Sequence, residues 1–268
     1  AMIVSADDLV TWMEQYPGLV LQWCQSELRD SGLHLDAWGK GEVGTTVEYV
    51  HVPSWAGAER QLREHVDLTA GVASVVRTVQ GESGVGKTRL VYEILASLPG
   101  MRGLVVYTGD EDAALRVANM VANAQATVKA VLVADECGPE TRERLRKLLN
   151  GHRDRVRVIA IYNFERTDSS GDPELWLKKM PDVSLEEILS ANFGHIPLDR
   201  RRAYAELARG YPRLAVDLCA HDGEIVAEGG RLGPAIPTVR DFLRVRLSEA
   251  ERNALNAVSL VTKIGSSG

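Results

Sequence analysis

Cysteine is scarce: Cys24, Cys137 and Cys219 are the only thiols among 268 residues. Three scattered thiols cannot form a disulfide framework, and their spacing matches no metal-ligand pattern. A reducing, cytoplasmic setting is the expectation. Long apolar runs are also missing. No stretch approaches the roughly 20 residues that cross a bilayer, and no secretory pattern is seen at the N-terminus. Membrane partners are therefore not expected. Excess positive charge is absent as well, because 31 Lys and Arg against 37 Asp and Glu leave a net charge of −6. That balance argues against a dedicated nucleic-acid binder. Arg200-Arg201-Arg202 and the arginines from Arg240 to Arg246 nevertheless leave a local basic face open. The sequence has no internal repeat, and nothing of low complexity precedes Gly265-Ser266-Ser267-Gly268. Those four residues and Ala1-Met2 read as appended rather than structural.

What remains is ordinary for a globular protein, with 45% hydrophobic and 25% charged residues. One segment is not ordinary. Gly81-Glu82-Ser83-Gly84-Val85-Gly86-Lys87-Thr88 matches the phosphate-loop pattern G-x-x-x-x-G-K-[ST] at every position. Its glycines let the backbone turn so that successive N–H groups point inward at phosphate oxygens. Lys87 is positioned to reach the β- and γ-phosphates, and the Thr88 hydroxyl to hold Mg²⁺. The nucleotide-binding set is this loop together with the next residue, Arg89. A β-branched run, Ser74 to Gln80, precedes the loop, and apolar residues at helical spacing follow from Thr88 to Leu95. Strand, loop and helix in that order place a phosphate at a helix N-terminus.

The rest of the chain falls into three stretches. Residues 6–30 carry Leu9, Trp12, Met13, Tyr16, Leu19 and Trp23 at mostly helical spacing. Pro17-Gly18 is expected to split them into two helices. Trp38 to Gly44 reads as a linker or turn, and Ala58 to Leu68 as a helix with Leu62 and Val66 inward. From Ser74 onward, strands at 74–80, 103–108, 128–135 and 155–163, with a short one near 175–180, alternate with helices near 87–98, 111–125 and 140–150. Such alternation predicts a parallel sheet covered on both faces. After Pro181 only helices are expected, at 183–191, 198–209, 212–221 and in pieces over 238–260. A domain boundary near residue 182 follows.

The run Ala130 to Ala134 is an apolar strand ending in Asp135-Glu136. A buried parallel strand delivers such residues to the sheet edge where the phosphate loop lies. Asp135 is the candidate for the Mg²⁺ shell, and Glu136 for the base that polarises an attacking water. The next strand, Val156 to Tyr162, ends at Asn163, a candidate sensor of the γ-phosphate or the water. Arg166 is its rival for that role. Gly210-Tyr211-Pro212 ends one helix and begins another, as suits a proline in a first helical turn.

Taken in order, GESGVGKT, VLVADE, IAIYN and ARGYPRLAVDLCA resemble the STAND class, a branch of the AAA+-related P-loop NTPases. The bacterial antiviral group is the most similar. The resemblance implies an α/β P-loop NTPase with an AAA+-like parallel sheet (1–50 leading helices and linker, 51–182 nucleotide domain). A small helical domain (183–230) and the start of a winged-helix domain (231–268) would follow. It also assigns adenine contacts to Pro212 of the G-x-P element and to Val52 and Pro53 upstream. The family's hhGRE-like motif is not matched, because Trp55-Ala56-Gly57-Ala58-Glu59 lacks the arginine.

The function implied is a slow ATPase switch cycling between ATP and ADP with Mg²⁺. It would form a homo-oligomer when other parts of a longer protein sense a trigger, as in anti-phage defence. The alternatives are an AAA+ ATPase loading onto DNA, and a scaffold that keeps nucleotide as a structural ligand.

Overall fold

Unbroken apolar runs such as Ala130–Ala134 give the central strands two apolar faces, because successive side chains point to opposite sides. The computed structural model describes residues 6–23, 32–43, 47–163, 174–223 and 225. Six strands form one sheet: β1 (Leu33–His34), β2 (Val76–Gly81), β3 (Val105–Thr108), β4 (Ala130–Ala134), β5 (Val156–Asn163) and β6 (Glu174–Trp176). Their spatial order is β1-β3-β4-β5-β2-β6. β2 to β6 run parallel, and β1 pairs antiparallel with β3. The sheet is thus the α/β arrangement that the alternating pattern predicts.

Helices cover both faces. Before the phosphate loop come α1 (Ala6–Met13), α2 (Pro17–Trp23), α3 (Leu35–Trp38) and α4 (Ala56–Val66). Then follow α5 (Lys87–Ser97), α6 (Met101–Leu104), α7 (Glu111–Asn123) and α8 (Pro139–Leu149). The chain continues with α9 (Asp182–Asn192), α10 (Leu198–Ala208) and α11 (Pro212–Ala220). Val131 and Val133 of β4 point to a core shared with Leu62 of α4 and Leu90, Val91 and Leu95 of α5. Leu132 and Ala134 point the opposite way, toward Val117 and Val121 of α7 and Leu145 and Leu149 of α8. This alternation is the period-two pleat of a strand buried on both sides.

Two readings of the N-terminal stretch need correction. The two expected helices form, but the break falls at residues 14–16, and Pro17 opens α2 rather than separating the pair. A proline has no N–H to lose at the first helical position, so it starts a helix as readily as it interrupts one. Trp38 to Val43 is no linker either. Trp38 is fully buried, and its ring stacks on Tyr107 with centroids 4.6 Å apart and planes 11° apart. Gly39–Val43 continues as a single wide helical turn. The burial of the indole outweighs the turn-like glycines around it. Strand β1 and helix α6 were not foreseen, being only two and four residues long. Cys24, Arg166, the helical pieces at 238–260 and the winged-helix segment lie outside the described residues.

The edge of the sheet farthest from the phosphate loop is tied by buried cations and an imidazole. The guanidinium of Arg157 donates to the carbonyls of His65, Val156, Asp67 and Ala70 at 2.7–3.0 Å, and also to that of Arg153. His65 is 3% exposed, and its Nε2–H donates to the Val158 carbonyl at 3.0 Å. Burial, helped by the charges of Arg77 and Arg157, pushes its pKa down from 6.5 to about 4. His65 is therefore neutral in the folded chain and takes up a proton more readily once unfolded. Its contribution to stability is complete above pH 6.5 and is lost as pH falls toward 4, up to about 3 kcal/mol. Urea unfolding at pH 7 and pH 4.5 should show that loss, and His65→Gln should flatten the slope between them. An equal slope in the variant would assign the acid sensitivity elsewhere.

Candidate nucleotide-binding site

The phosphate-loop motif spans the gap between β2 and α5. Gly86 caps α5 with φ 101°, a left-handed conformation that residues with a Cβ rarely adopt. A Cβ there would also lie 3.0 Å from Cη2 of Trp55 and 3.6 Å from Cγ of Pro212. The first turn of α5 carries the amides of Lys87, Thr88 and Arg89, which have no intrahelical acceptors. With the positive end of the helix dipole they make a place for an anion.

Lys87 is 4% exposed, and its ammonium has three N–H donors. They go to Gly81 O at 2.9 Å, Glu82 O at 2.8 Å and Asn163 Oδ1 at 2.8 Å. Burial holds its pKa below the ordinary amine range, with the charge of Asp135 pulling the other way. Asn163 reaches Lys87 because it is the register partner of Gly81 on the neighbouring parallel strand. The Thr88 hydroxyl donates to Asp135 Oδ2 at 2.9 Å, and the Tyr107 hydroxyl lies 3.3 Å from the same oxygen. Glu136 is exposed and has φ 53°. Two contacts, Lys87 with Asn163 and Thr88 with Asp135, thus lie at one edge of the sheet, with Glu136 one residue beyond Asp135.

A hydroxyl and a carboxylate side by side are hard oxygen donors of the kind Mg²⁺ takes, together with waters and phosphate oxygens. Among the described residues no cluster of three His, Cys, Asp or Glu gathers, so no all-protein metal cage competes. Thr88 and Asp135 fit the ion.

Other expected contacts fall differently. Arg89 turns away from the loop: its guanidinium donates to Glu93 Oε1 at 2.7 Å and to the Val47 carbonyl at 2.8 Å. The i, i+4 spacing on α5 puts Glu93 within its reach. Val52 is fully buried in the core and Pro53 is exposed, so within that upstream segment it is Trp55, 4% exposed, that packs beside Gly86. Pro212 lies beside the same glycine. Ser83 is exposed and Val85 buried beneath the loop.

Tyr211 and Lys179 were missed. The Tyr211 hydroxyl donates to the Glu82 carboxylate, and Lys179 Nζ lies 3.3 Å from the same oxygen and 4.6 Å from the Tyr211 ring centroid. Tyr211 also faces Gly84, whose Cβ would lie 3.8 Å from its ring. Gly210 permits this approach: its φ is 88°, and a Cβ would meet Met180 O at 2.8 Å. The only sequence signal was the tyrosine inside the G-x-P element.

The arginine run is largely neutralised. Arg200 bonds both oxygens of Asp222 at 2.9 and 2.8 Å, and Arg202 lies 3.3 Å from Glu186. The stretch from Arg240 to Arg246 lies outside the described residues. No helix of the described residues is long and apolar enough to cross a membrane.

No protein-family model matches the chain, and no curated protein does. Solved structures do. The S. cerevisiae Hsp104:casein complex in its extended conformation is similar over 76% of this chain and 42% of that one, at 16% identity and a TM-score of 0.52. This chain therefore spans less than half the length of the Hsp104 chain. Drosophila ORC bound to DNA is similar over 86% and 68%, at 17% identity and a TM-score of 0.52. Domain III of the Thermotoga maritima replication initiation protein DnaA is similar over 72% and 94%, at 15% identity and a TM-score of 0.50. Identities this low carry the fold alone, a mostly parallel α/β sheet covered by helices.

Gly86→Ala tests the loop. The strained φ and the contact with Trp55 should displace the first turn of α5 and weaken Mg·ATP binding by about tenfold or more in calorimetry. Parent-like affinity would mean that the cradle does not depend on this turn.

Proposed function

We propose that the chain binds ATP and hydrolyses it slowly, as the nucleotide switch of a STAND-class, AAA+-like P-loop NTPase. The observation that carries this reading is the 2.9 Å contact between the Thr88 hydroxyl and Asp135, which links the loop to the acidic strand across β5. Mg²⁺ held by these two residues would neutralise charge on the β- and γ-phosphates. Lys87 exchanges its carbonyl acceptors for phosphate oxygens, trading hydrogen bonds in which only the donor is charged for ones in which both partners are. Asn163, released from Lys87, turns its amide to the γ-phosphate or the attacking water. Glu136 takes the proton from that water as general base. Trp55 and Pro212 flank the nucleotide, with adenine as the expected base.

The switch follows from what touches the loop. Tyr211 and Pro212 belong to the corner between α10 and α11, so a change of nucleotide at the loop is felt by those helices. We take 1–50 as a leading segment, 51–182 as the nucleotide domain, 183–230 as the helical domain that moves and 231–268 as the start of a winged helix. Ligands shift such an equilibrium only through contacts that differ between states, and the γ-phosphate supplies that difference. In this reading a trigger sensed elsewhere in a longer cytoplasmic protein releases the switch. The chain then assembles with copies of itself, in bacterial anti-phage defence or signalling.

A second reading, an AAA+ ATPase acting on DNA, draws on the likeness to ORC, whose structure was solved on DNA. The net charge of −6 and the pairing of Arg200 and Arg202 with acids weigh against it. Filter binding over a range of salt separates the two, because a DNA-acting chain must show affinity that falls steeply with ionic strength.

Turnover is expected at about 1 s⁻¹ or less. Glu136→Gln should lower kcat by about 10²–10⁴-fold while the ATP dissociation constant in calorimetry stays within a few-fold of the parent. Light scattering should report different oligomer sizes with ATP, ADP and no nucleotide. Undiminished turnover in the variant removes Glu136 from the base role, and identical assembly in all three states removes the switch.

A further inference from the structure

The loop that delivers Glu136 runs from Asp135 to Gly138, between β4 and α8. Each of its four amides has its own acceptor. Asp135 N–H donates to Thr108 O at 2.9 Å, and Glu136 N–H to Asp135 Oδ1 at 2.9 Å. Cys137 N–H donates to Ile161 O at 3.0 Å, and Gly138 N–H to Glu111 Oε1 at 2.6 Å. The first three acceptors are strand carbonyls or the loop's own aspartate. The fourth is a charged side chain brought from the first turn of α7, and its second oxygen accepts from the Thr141 hydroxyl at 2.8 Å.

This grip bears on the one residue of the loop in an unfavourable conformation. Glu136 has φ 53°, a region that a residue with a Cβ occupies only where its surroundings impose it. Gly138 heads α8 without a side chain of its own to cap the helix, so Glu111 caps it from another element. Glu111 lies at the N-terminal end of α7 and bonds into the N-terminal turn of α8, so it ties the starts of two helices to the loop. Without it, the amide two residues beyond Glu136 loses its acceptor and the loop can relax toward ordinary backbone angles. A base must sit within about 2.6–3.2 Å of the proton it removes, and about 1 Å of misplacement can cost about 100-fold in rate.

We propose that Glu111 is a positioning residue for hydrolysis: its carboxylate clamps the 135–138 loop and so aims Glu136 at the attacking water. The proposal rests on the reading of Glu136 as the base.

The test uses the full chain with Glu111→Ala and Glu111→Gln. Alanine removes the acceptor, whereas glutamine keeps one carbonyl oxygen for the Gly138 amide. The alanine variant should lose about 10- to 100-fold in kcat with the ATP KM within about twofold of the parent. Glutamine should restore most of the rate. Without nucleotide, hydrogen exchange of the 135–138 amides should quicken in the alanine variant and stay near the parent in the glutamine one. Parental kcat and parental protection in the alanine variant would overturn the clamp. Activity falling only in proportion to the unfolded fraction would reduce Glu111 to a helix cap and overturn the positioning role. A parent that turns over no ATP, or a Glu136→Gln variant as fast as the parent, would overturn the role in hydrolysis through the base assignment. The exchange result would then still show whether Glu111 holds the loop.

Discussion

The hydrogen bond from Thr88 to Asp135 has to cross a strand. β5 lies between the phosphate-loop strand β2 and the acidic strand β4, so the loop and Asp135 meet only above the end of β5. The residue at the end of that intervening strand is Asn163, and it is bonded to Lys87. A single constraint, the strand order, therefore decides which four side chains share the edge. Placing β2 beside β4 would remove Asn163 from the group and leave the lysine without its third acceptor. The chemistry available at the edge is a consequence of topology as much as of residue type.

That also explains which parts of the site could be read along the chain. Gly81 to Thr88 and Asp135-Glu136 belong to local patterns, a loop with fixed spacing and an apolar run ending in acids, and each is visible without knowing the fold. Most of the described strand and helix segments between 74 and 220, the four-residue α6 excepted, were legible for the same reason, since period-two and helical spacing are local properties. Trp38, Trp55, Tyr211 and Glu111 were not. Each gains its role from a partner far along the chain: Trp38 from Tyr107, Trp55 from Gly86, Tyr211 from Glu82, and Glu111 from Gly138. Arg89 divides between the two cases. Its backbone amide lies in the first turn of α5 beside the loop, whereas a glutamate one helical turn away and the Val47 carbonyl hold its guanidinium. Proximity in sequence ranks candidates well only where the backbone itself makes the contact.

The ties between the loop and helices α10 and α11 are individually weak. Lys179 and Glu82 are nearly half exposed, so water and salt screen their attraction and the pair adds little. The Tyr211 hydroxyl adds one hydrogen bond to a charged group, about 1.5–3 kcal/mol at most in a buried setting and less here. Together they fall short of the roughly 5.5 kcal/mol that takes a two-state equilibrium from 1:99 to 99:1, so they bias the corner rather than lock it. Glu82 is the hinge point of this arrangement. Its backbone carbonyl accepts from Lys87 while its side chain accepts from Tyr211, so the same residue meets the phosphate lysine on one side and the helical corner on the other.

The two ends of β5 are built for opposite behaviour. At its start, Arg155 and Arg157 are almost wholly buried and donate to carbonyls of α4, α7 and the connections around them. Guanidinium groups keep their charge at any accessible pH and carry five donors in a fixed plane, so those carbonyls stay satisfied. At its end, Asn163 faces an ammonium with three donors, a lowered pKa and acceptors that phosphate oxygens can replace. A lysine at position 157 could not close off the carbonyls that Arg157 reaches, and an arginine at position 87 could not exchange partners without breaking a planar set of bonds. The choice of cation at each end therefore fixes where the sheet is rigid and where it can answer a ligand.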